Sequence, residues 1–202
     1  MMRRIFGVLC WTLALGVLLS AVALAQPRLA VREFENKTEG NVPASAITEM
    51  MTTELYDAGI FTLVEREKLG YVADEVRLAQ SGLMDESTAP QLGKIKGAQY
   101  SMTGAVTQYY YKAAGAVVPI PSVGGVGGAS NTAYVTLDIR IIDNQTGEVI
   151  YAAAEQGASN QTVGGLITRY GGFGAGKING ILAAATRKAV LKHVQRMSEK
   201  SF

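Results

Sequence analysis

Residues 133–154 read AYVTLDIRIIDNQTGEVIYAAA and carry the clearest structural signal in the chain. Apolar and polar side chains alternate over 133–143, as in a strand with one buried face. The NQTG sequence at 144–147 has the composition of a tight turn, and the returning strand runs from 148 to about 154. The predicted buried face carries Val135, Leu137, Ile139 and Ile141, and the opposite face carries Thr136, Asp138 and Arg140. This hairpin predicts a sheet with its core on one side.

The residues before this hairpin alternate between strand and helix patterns. A strand is predicted over 29–34, and a helix begins at Pro43, whose fixed φ suits a first helical turn. Gly59 ends that helix, a short strand follows at 61–64, and a second helix covers 65–80. The second helix is predicted to place four apolar residues on one face, namely Leu69, Val72, Val76 and Ala79.

Three more elements complete the predicted fold. A short helix is expected over 89–96, a strand over 100–111, and a long amphipathic helix from near Lys177 towards the C-terminus. Basic residues in the second half of that helix suit the negative end of its dipole. They are Arg187, Lys188, Lys192, Arg196 and Lys200. The predicted fold class is α/β (α+β), with a strand–helix–strand–helix start, an antiparallel meander and a C-terminal helix.

Two glycine-rich segments, 113–132 and 157–176, interrupt the meander. Loops of about 20 residues without secondary structure are uncommon inside a domain and tend to be functional. The strand over 100–111 runs into the first segment, and the strand over 133–143 runs out of it. The returning strand then runs into the second segment. Both are therefore predicted to be long hairpin or loop insertions that leave the sheet at the same end.

Residues 1–25 have the features of a cleavable signal peptide. Arg3 and Arg4 precede an apolar stretch that ends in Ala23-Leu24-Ala25, a small-x-small cleavage pattern. Gln26 is the predicted mature N-terminus, and 26–202 is predicted to form a single domain. The alternative is an uncleaved anchor, because an apolar stretch of about 20 residues can span a bilayer.

The position of the one cysteine and the net charge argue against some classes of function. Cys10, the only cysteine, lies near the start of the apolar stretch and follows Leu9, so it does not fit a lipoprotein acylation signal. The mature chain then has neither disulfides nor a cysteine metal site. The whole chain has 19 Lys+Arg against 17 Asp+Glu, and Arg3 and Arg4 account for that difference of two. A nearly neutral mature chain without a basic run argues against nucleic acid as a partner.

No motif predicts an enzyme. The GGFGAGKI sequence at 171–178 is similar to a phosphate-binding loop, but Ile178 stands where a Ser or Thr would hold magnesium. His193, the only histidine, has no obvious metal co-ligand and is predicted to lie on the surface of the last helix. We therefore predict no catalytic, metal or cofactor residues and no cofactor.

Four stretches, in their order and spacing, resemble the CsgG/HfaB family, best known for the curli secretion channel of the bacterial outer membrane. They are LAVREFENKT at 29–38, FTLVER at 61–66, GAQYSMTG at 97–104 and the hairpin at 135–151 with DNQTGEVI at 143–150. The resemblance implies a periplasmic α/β domain that forms a ring, with each subunit giving two β-hairpins to a shared transmembrane barrel. The two glycine-rich segments lie in the corresponding places.

The resemblance leaves two functions open. One is a periplasmic or outer-membrane-associated assembly or secretion protein that acts by homo-oligomerisation and contact with a secreted or envelope protein. The other is a soluble periplasmic adaptor, similar to the activators of peptidoglycan synthases. The adaptor is favoured by the short 39–42 segment in place of a pore-narrowing loop and by weak apolar alternation after Ala154, whereas two insertions that leave from one end favour the channel. The missing acylation signal is a further departure from the curli channel subunits, which are lipoproteins.

Either function predicts that the two segments contact a membrane or a partner. The candidate contact residues are Tyr109, Tyr110, Tyr111, Val117, Val118, Ile120, Val163, Leu166, Ile167, Tyr170 and Phe173. The three tyrosines could form an interfacial aromatic belt. They could equally be ordinary strand residues at a sheet edge.

Overall fold

The computed structural model describes residues 26–66, 68–85, 87–90, 93, 95–121, 124–167, 178–200 and 202, without the side chains of 163–167. The predicted signal peptide lies outside these residues. Residues 91, 92 and 94 of the helix predicted over 89–96 also lie outside them, and the described remainder of that segment is not helical.

The chain forms a mixed sheet with helices in a strand–helix–strand–helix order at its start. In sequence order the elements are β1 (Arg28–Val31), β2 (Glu35–Asn36), α1 (Ala44–Ala58), β3 (Thr62–Leu63), α2 (Leu69–Gln80), β4 (Tyr100–Ile120), β5 (Gly124–Asp143), β6 (Val149–Ile167) and α3 (Ile178–Ser198). The sheet order is β3-β1-β4-β5-β6, and β2 also pairs with β4. β1 is parallel to β3 and β4, whereas β4, β5 and β6 form an antiparallel meander. The predicted fold class is confirmed.

The core lies on one face of the sheet, as the alternation in β5 predicts. Val135, Leu137, Ile139 and Ile141 are each at most 1% exposed. Helices α1 and α3 pack on this face and contribute Ile47, Met51, Leu55, Ala185, Ala189, Val190 and Met197 to the core. An ion pair of 2.9 Å between Arg187 and Glu54 joins the two helices. The fold is therefore two layers, with the other face of the meander free of helices among the described residues.

The predicted helix boundaries hold for α1 and differ for α2. Gly59 ends α1 in the left-handed conformation, with φ of 63°, which glycine adopts without a steric penalty. α2 begins at Leu69 rather than at residue 65. None of its residues is buried, and Val72 of the predicted apolar face is 44% exposed. The apolar residues of α2 follow a helical period, but no other element of the described chain packs closely on the face that they form.

The helix α3 crosses directly over β6 at Gly157. A Cβ at this position would lie 1.9 Å from the carbonyl oxygen of Ala185 and 2.6 Å from the amide nitrogen of Ala189. Only a residue without a side chain lets the helix backbone approach the strand this closely. Gly157 therefore sets the distance between α3 and the sheet.

His193 is fully buried, so its predicted surface position is wrong. Its Nε2 lies 2.9 Å from the carbonyl oxygen of Leu137, and its Nδ1 lies 3.2 Å from the hydroxyl of Tyr151. A carbonyl can only accept, so Nε2 carries the proton and Nδ1 accepts from the Tyr151 hydroxyl. This pair of hydrogen bonds ties α3 to both β5 and β6. Burial lowers the pKa of His193, opposed by its bond to Leu137 and by the nearby carboxylates of Glu155 and Asp138.

Candidate functional site

The first glycine-rich segment and the described part of the second, up to residue 167, form one three-stranded extension of the sheet. We call it the ribbon: residues 112–120 of β4, 124–132 of β5 and 160–167 of β6. The strands predicted to end at Tyr111 and to begin at Ala133 instead continue and pair with each other, up to Ile120 with Gly124. β6 continues beside β5 in the same way, up to Ile167 with Gly125. The prediction that both segments leave the sheet at the same end is therefore confirmed, and both contain paired strand.

The end of the ribbon is apolar on both faces. Along β4 the even-numbered residues Ala114, Ala116, Val118 and Ile120 share one face, and Ala113, Val117 and Pro119 share the other. Val117 is 53% exposed and Val118 is 67% exposed. In β5, Val126 lies opposite Val118 and is also exposed. Nearer the domain the ribbon is polar, with Ser130, Asn131, Thr132 and Asn160.

The three predicted contact tyrosines lie where β4 leaves the domain, and they do not share a face. Tyr109 packs against the core, and its burial raises its pKa. Tyr110 lies on the opposite, open face and stacks on its cross-strand partner Tyr134, with ring centroids 5.3 Å apart. The ammonium of Lys112 lies 5.8 Å from each of these two rings. Tyr111 is 45% exposed.

The remaining candidate contact residues lie in β6 or beyond its end. Val163, Leu166 and Ile167 pair through their backbones with Ala129, Val126 and Gly125 of β5. Tyr170 and Phe173 lie outside the described residues, as does most of the phosphate-loop-like segment at 171–178.

Near the domain, the outer edge of β6 is covered by two lysines of α3 and by Lys200, which follows the helix. Lys188 donates to the carbonyl of Ala158 at 3.0 Å, and Lys192 donates to the carbonyl of Gln156 at 2.7 Å. Lys200 reaches the carbonyl of Ile150 in the same way. All three acceptors are even-numbered, and in an antiparallel strand the amide and carbonyl of one residue point to the same side. The even-numbered residues of β6 therefore face away from β5, and this continues in the ribbon through 160, 162, 164 and 166.

The outer edge of β4 is covered near the domain, whereas in the ribbon no described strand pairs with it. β1 and β2 pair with β4 only as far as Val106, whose carbonyl accepts from the amide of Lys37 at 3.0 Å. The register shift between Val106 and Gln108 then moves the outward positions from even to odd residues. Ala113, Gly115 and Val117 are outward by this count. Pro119 is outward as well, a position where the missing N–H breaks no bond to β5.

The open face of the meander carries polar side chains that bond to one another. Thr107 donates to the carboxylate of Asp138 at 2.5 Å, and Gln156 donates to the side-chain oxygen of Gln108 at 2.9 Å. Within the described residues, no group of three His, Cys, Asp or Glu side chains could hold a metal ion. None of the described helices has the length and apolar character needed to cross a membrane.

Geometry thus defines a two-layer α/β domain with a projecting ribbon. The chain belongs to the CsgG family: the model of the family described as "Curli production assembly/transport component CsgG" matches residues 16–202, nearly the whole chain. The resemblance drawn from the sequence is therefore confirmed. No curated protein matches the sequence.

Several solved structures are similar in part. The PelC dodecamer from Paraburkholderia phytofirmans has 18% identity, covers 89% of this chain and 93% of its own, and has a TM-score of 0.41. The LpoB C-terminal domain from Salmonella enterica has 21% identity, covers 72% and 92%, and has a TM-score of 0.35. A lipoprotein from Neisseria meningitidis has 13% identity, covers 86% and 99%, and has a TM-score of 0.40.

Three features of the site were not found by sequence reasoning. The pairing of the ribbon strands has no alternation to reveal it, because no described element covers either face of the ribbon. The lysines of α3 were attributed to the helix dipole, and only the crossing of α3 over β6 brings them to the strand edge. The burial of His193 depends on the same crossing.

Proposed function

We propose that this chain is a non-enzymatic subunit of an assembly or secretion complex of the cell envelope, in which copies join ribbon to ribbon. The observation that supports this is a pair of strand edges that no other described strand covers. The β4 edge over 113–117 and the β6 edge over 160–166 lie at the same level, since both flank 126–132 of β5. Open strand edges are templates for pairing with another chain.

Two different open edges on one subunit favour a head-to-tail assembly. The β6 edge of one copy can pair with the β4 edge of the next, which makes a heterologous contact that closes into a ring when the rotation allows. A two-fold dimer would leave one type of edge unpaired in each copy. The proposed homo-oligomer is therefore a ring whose ribbons form a continuous sheet.

The apolar end of the ribbon supports an outer-membrane location for that sheet. The six residues from Gly115 to Ile120, whose partners in β5 are glycine, alanine or valine, extend about 20 Å, most of the apolar band of about 25 Å on outer-membrane barrels. Residues on both faces near the end are apolar, and alanine and glycine leave little side chain to cover the backbone. We propose export by the signal peptide, a periplasmic domain, and ribbons that enter the outer membrane on assembly. The partner would be a secreted or envelope protein.

A soluble periplasmic adaptor is the second candidate. It is favoured by the polar residues near the base of the ribbon, Ser130, Asn131, Thr132 and Asn160, which suit contact with a protein rather than with lipid. Fractionation separates the two. Protein that needs detergent after a carbonate wash supports the membrane ring, whereas a small species in the soluble periplasm supports the adaptor.

A proline at Thr162 is expected to abolish assembly. Thr162 is an outward residue of β6 in the ribbon, so proline there removes an amide that no described strand uses and that a neighbouring copy would bind. Ala154→Pro is the matched control, because Ala154 is also outward and exposed but lies below the ribbon. Light scattering in detergent should show a large particle for the wild type and Ala154→Pro, and a monomer for Thr162→Pro. A ring of unchanged mass in Thr162→Pro contradicts the proposed pairing.

A further inference from the structure

We infer that the lysines of α3 confine pairing between copies to the ribbon, by closing the lower edge of β6 to a second strand. This inference rests on the proposed function, because it specifies which part of an edge a second copy can use. The lower edge is defined as residues 150–158 of β6.

The lower edge is long enough to pair with a strand of another copy. Its nine residues include outward-facing backbone at 150, 152, 154, 156 and 158, and β6 pairs with β5 alone in the described structure. The side chains of Val149 and of the three alanines at 152–154 carry no charge that would repel a second strand. Without protection, two copies could pair along this edge in register or out of register, which leads to aggregation rather than a closed ring.

Three of the five outward carbonyls are already bonded to lysine ammonium groups. Lys188 and Lys192 donate to the carbonyls of Ala158 and Gln156, respectively. Lys200 donates to the carbonyl of Ile150. A second strand would have to displace these bonds, which are stronger than bonds between neutral groups because the donor is charged, so it gains less here than at a free edge. Charged side chains, lysine above all, are among the devices with which natural sheets protect their edges.

The protection stops where the ribbon begins. Lys188 is the lysine nearest the start of α3, and its acceptor Ala158 is the last outward residue before the ribbon. The next outward residue, Asn160, pairs with Thr132 at the base of the ribbon. The geometry thus divides one strand edge into a closed part and an open part.

The experiment compares Lys192→Met with Lys96→Met in the full-length chain. Each variant removes one positive charge, but Lys96 is exposed in a loop and its ammonium has no bond to the β6 edge. We expect Lys192→Met to aggregate about tenfold faster in light scattering and thioflavin T fluorescence, and Lys188→Met/Lys192→Met faster still. Lys192→Arg keeps a donor and should behave as the wild type, and circular dichroism checks that each variant folds.

Hydrogen exchange of the amides tests the same inference on the unmodified protein. In assembled wild type, the outward amides of 160–166 should be protected and those of 152–158 should exchange freely. In the lysine variants, 152–158 should become protected as aggregates form. Equal aggregation of Lys192→Met and Lys96→Met overturns the inference, as does protection of 152–158 in the wild type. Absence of protection at 160–166 in the wild type instead contradicts the proposed function, and leaves the comparison of aggregation rates valid.

Discussion

Replacement of Gly157 by alanine is expected to separate α3 from the sheet and to lower the free energy of unfolding by about 3 kcal/mol, the upper end of the usual cost of overpacking. The new Cβ would lie 1.9 Å from the carbonyl oxygen of Ala185, which is backbone and cannot rotate away. Either β6 or the whole helix must move by more than 1 Å (roughly the shortfall from van der Waals contact). That movement strains the bonds of His193 and of the α3 lysines together.

Urea denaturation followed by circular dichroism measures this effect. Gly70→Ala is the control, because Gly70 lies within α2 and a Cβ there meets no atom within 4 Å. Alanine in a helix is favoured over glycine by about 1 kcal/mol, so Gly70→Ala should leave stability unchanged or raise it. A Gly157→Ala variant as stable as the wild type would show that α3 does not pack this closely on β6.

Acidification from pH 7.5 to 5.5 is expected to destabilise the fold through His193. Burial holds its pKa in the folded chain below the ordinary value of 6.5, so near and below pH 6.5 the unfolded chain binds a proton that the folded chain does not. Stability therefore falls as the pH decreases through 6.5, by at most about 1.4 kcal/mol per pH unit for one proton. The loss stops below the folded pKa, where both states are protonated.

The chain is well suited to this measurement because His193 is its only histidine. The charged groups that influence the ring are Glu155 and Asp138, which favour its protonation, and Arg196, which opposes it. Ordinary carboxyl groups titrate mainly below this pH range. His193→Gln keeps a donor for Leu137 and an acceptor for Tyr151 but does not titrate, so its stability should be flat between pH 7.5 and 5.5. An equal slope in that variant would assign the pH dependence to another group.

The ring that we propose also links these stability effects to function. α3 holds the lysines that cover β6, and its position depends on Gly157 and His193. Loosening α3 by either route is expected to expose the lower edge of β6 to pairing. Aggregation at low pH should therefore increase with the same pH dependence as the loss of stability, and light scattering of the wild type and His193→Gln between pH 7.5 and 5.5 measures it.

The sequence alone determined the elements that have one covered face. Alternation over 133–143 predicted the buried part of β5, because side chains that alternate between a core and an open face leave a periodic pattern. Gly59 predicted the end of α1, because glycine adopts the left-handed conformation without a steric penalty. The order of strands also placed both glycine-rich segments at one end, since each strand of an antiparallel meander reverses direction. The four family-like stretches identified the family by their order and spacing along the chain.

Only the tertiary structure decided what lies beyond those patterns. No described element covers either face of the ribbon, so its sequence shows no alternation of apolar and polar residues. Glycine and alanine, such as Gly115, Ala116 and Gly127, are typical of loops, and the sequence therefore did not reveal that these residues form paired strands. α2 shows the converse, because Val72 follows a helical period without being buried. The roles of His193 and Lys192 depend on where α3 crosses β6, a contact between residues about 40 positions apart that no local pattern records.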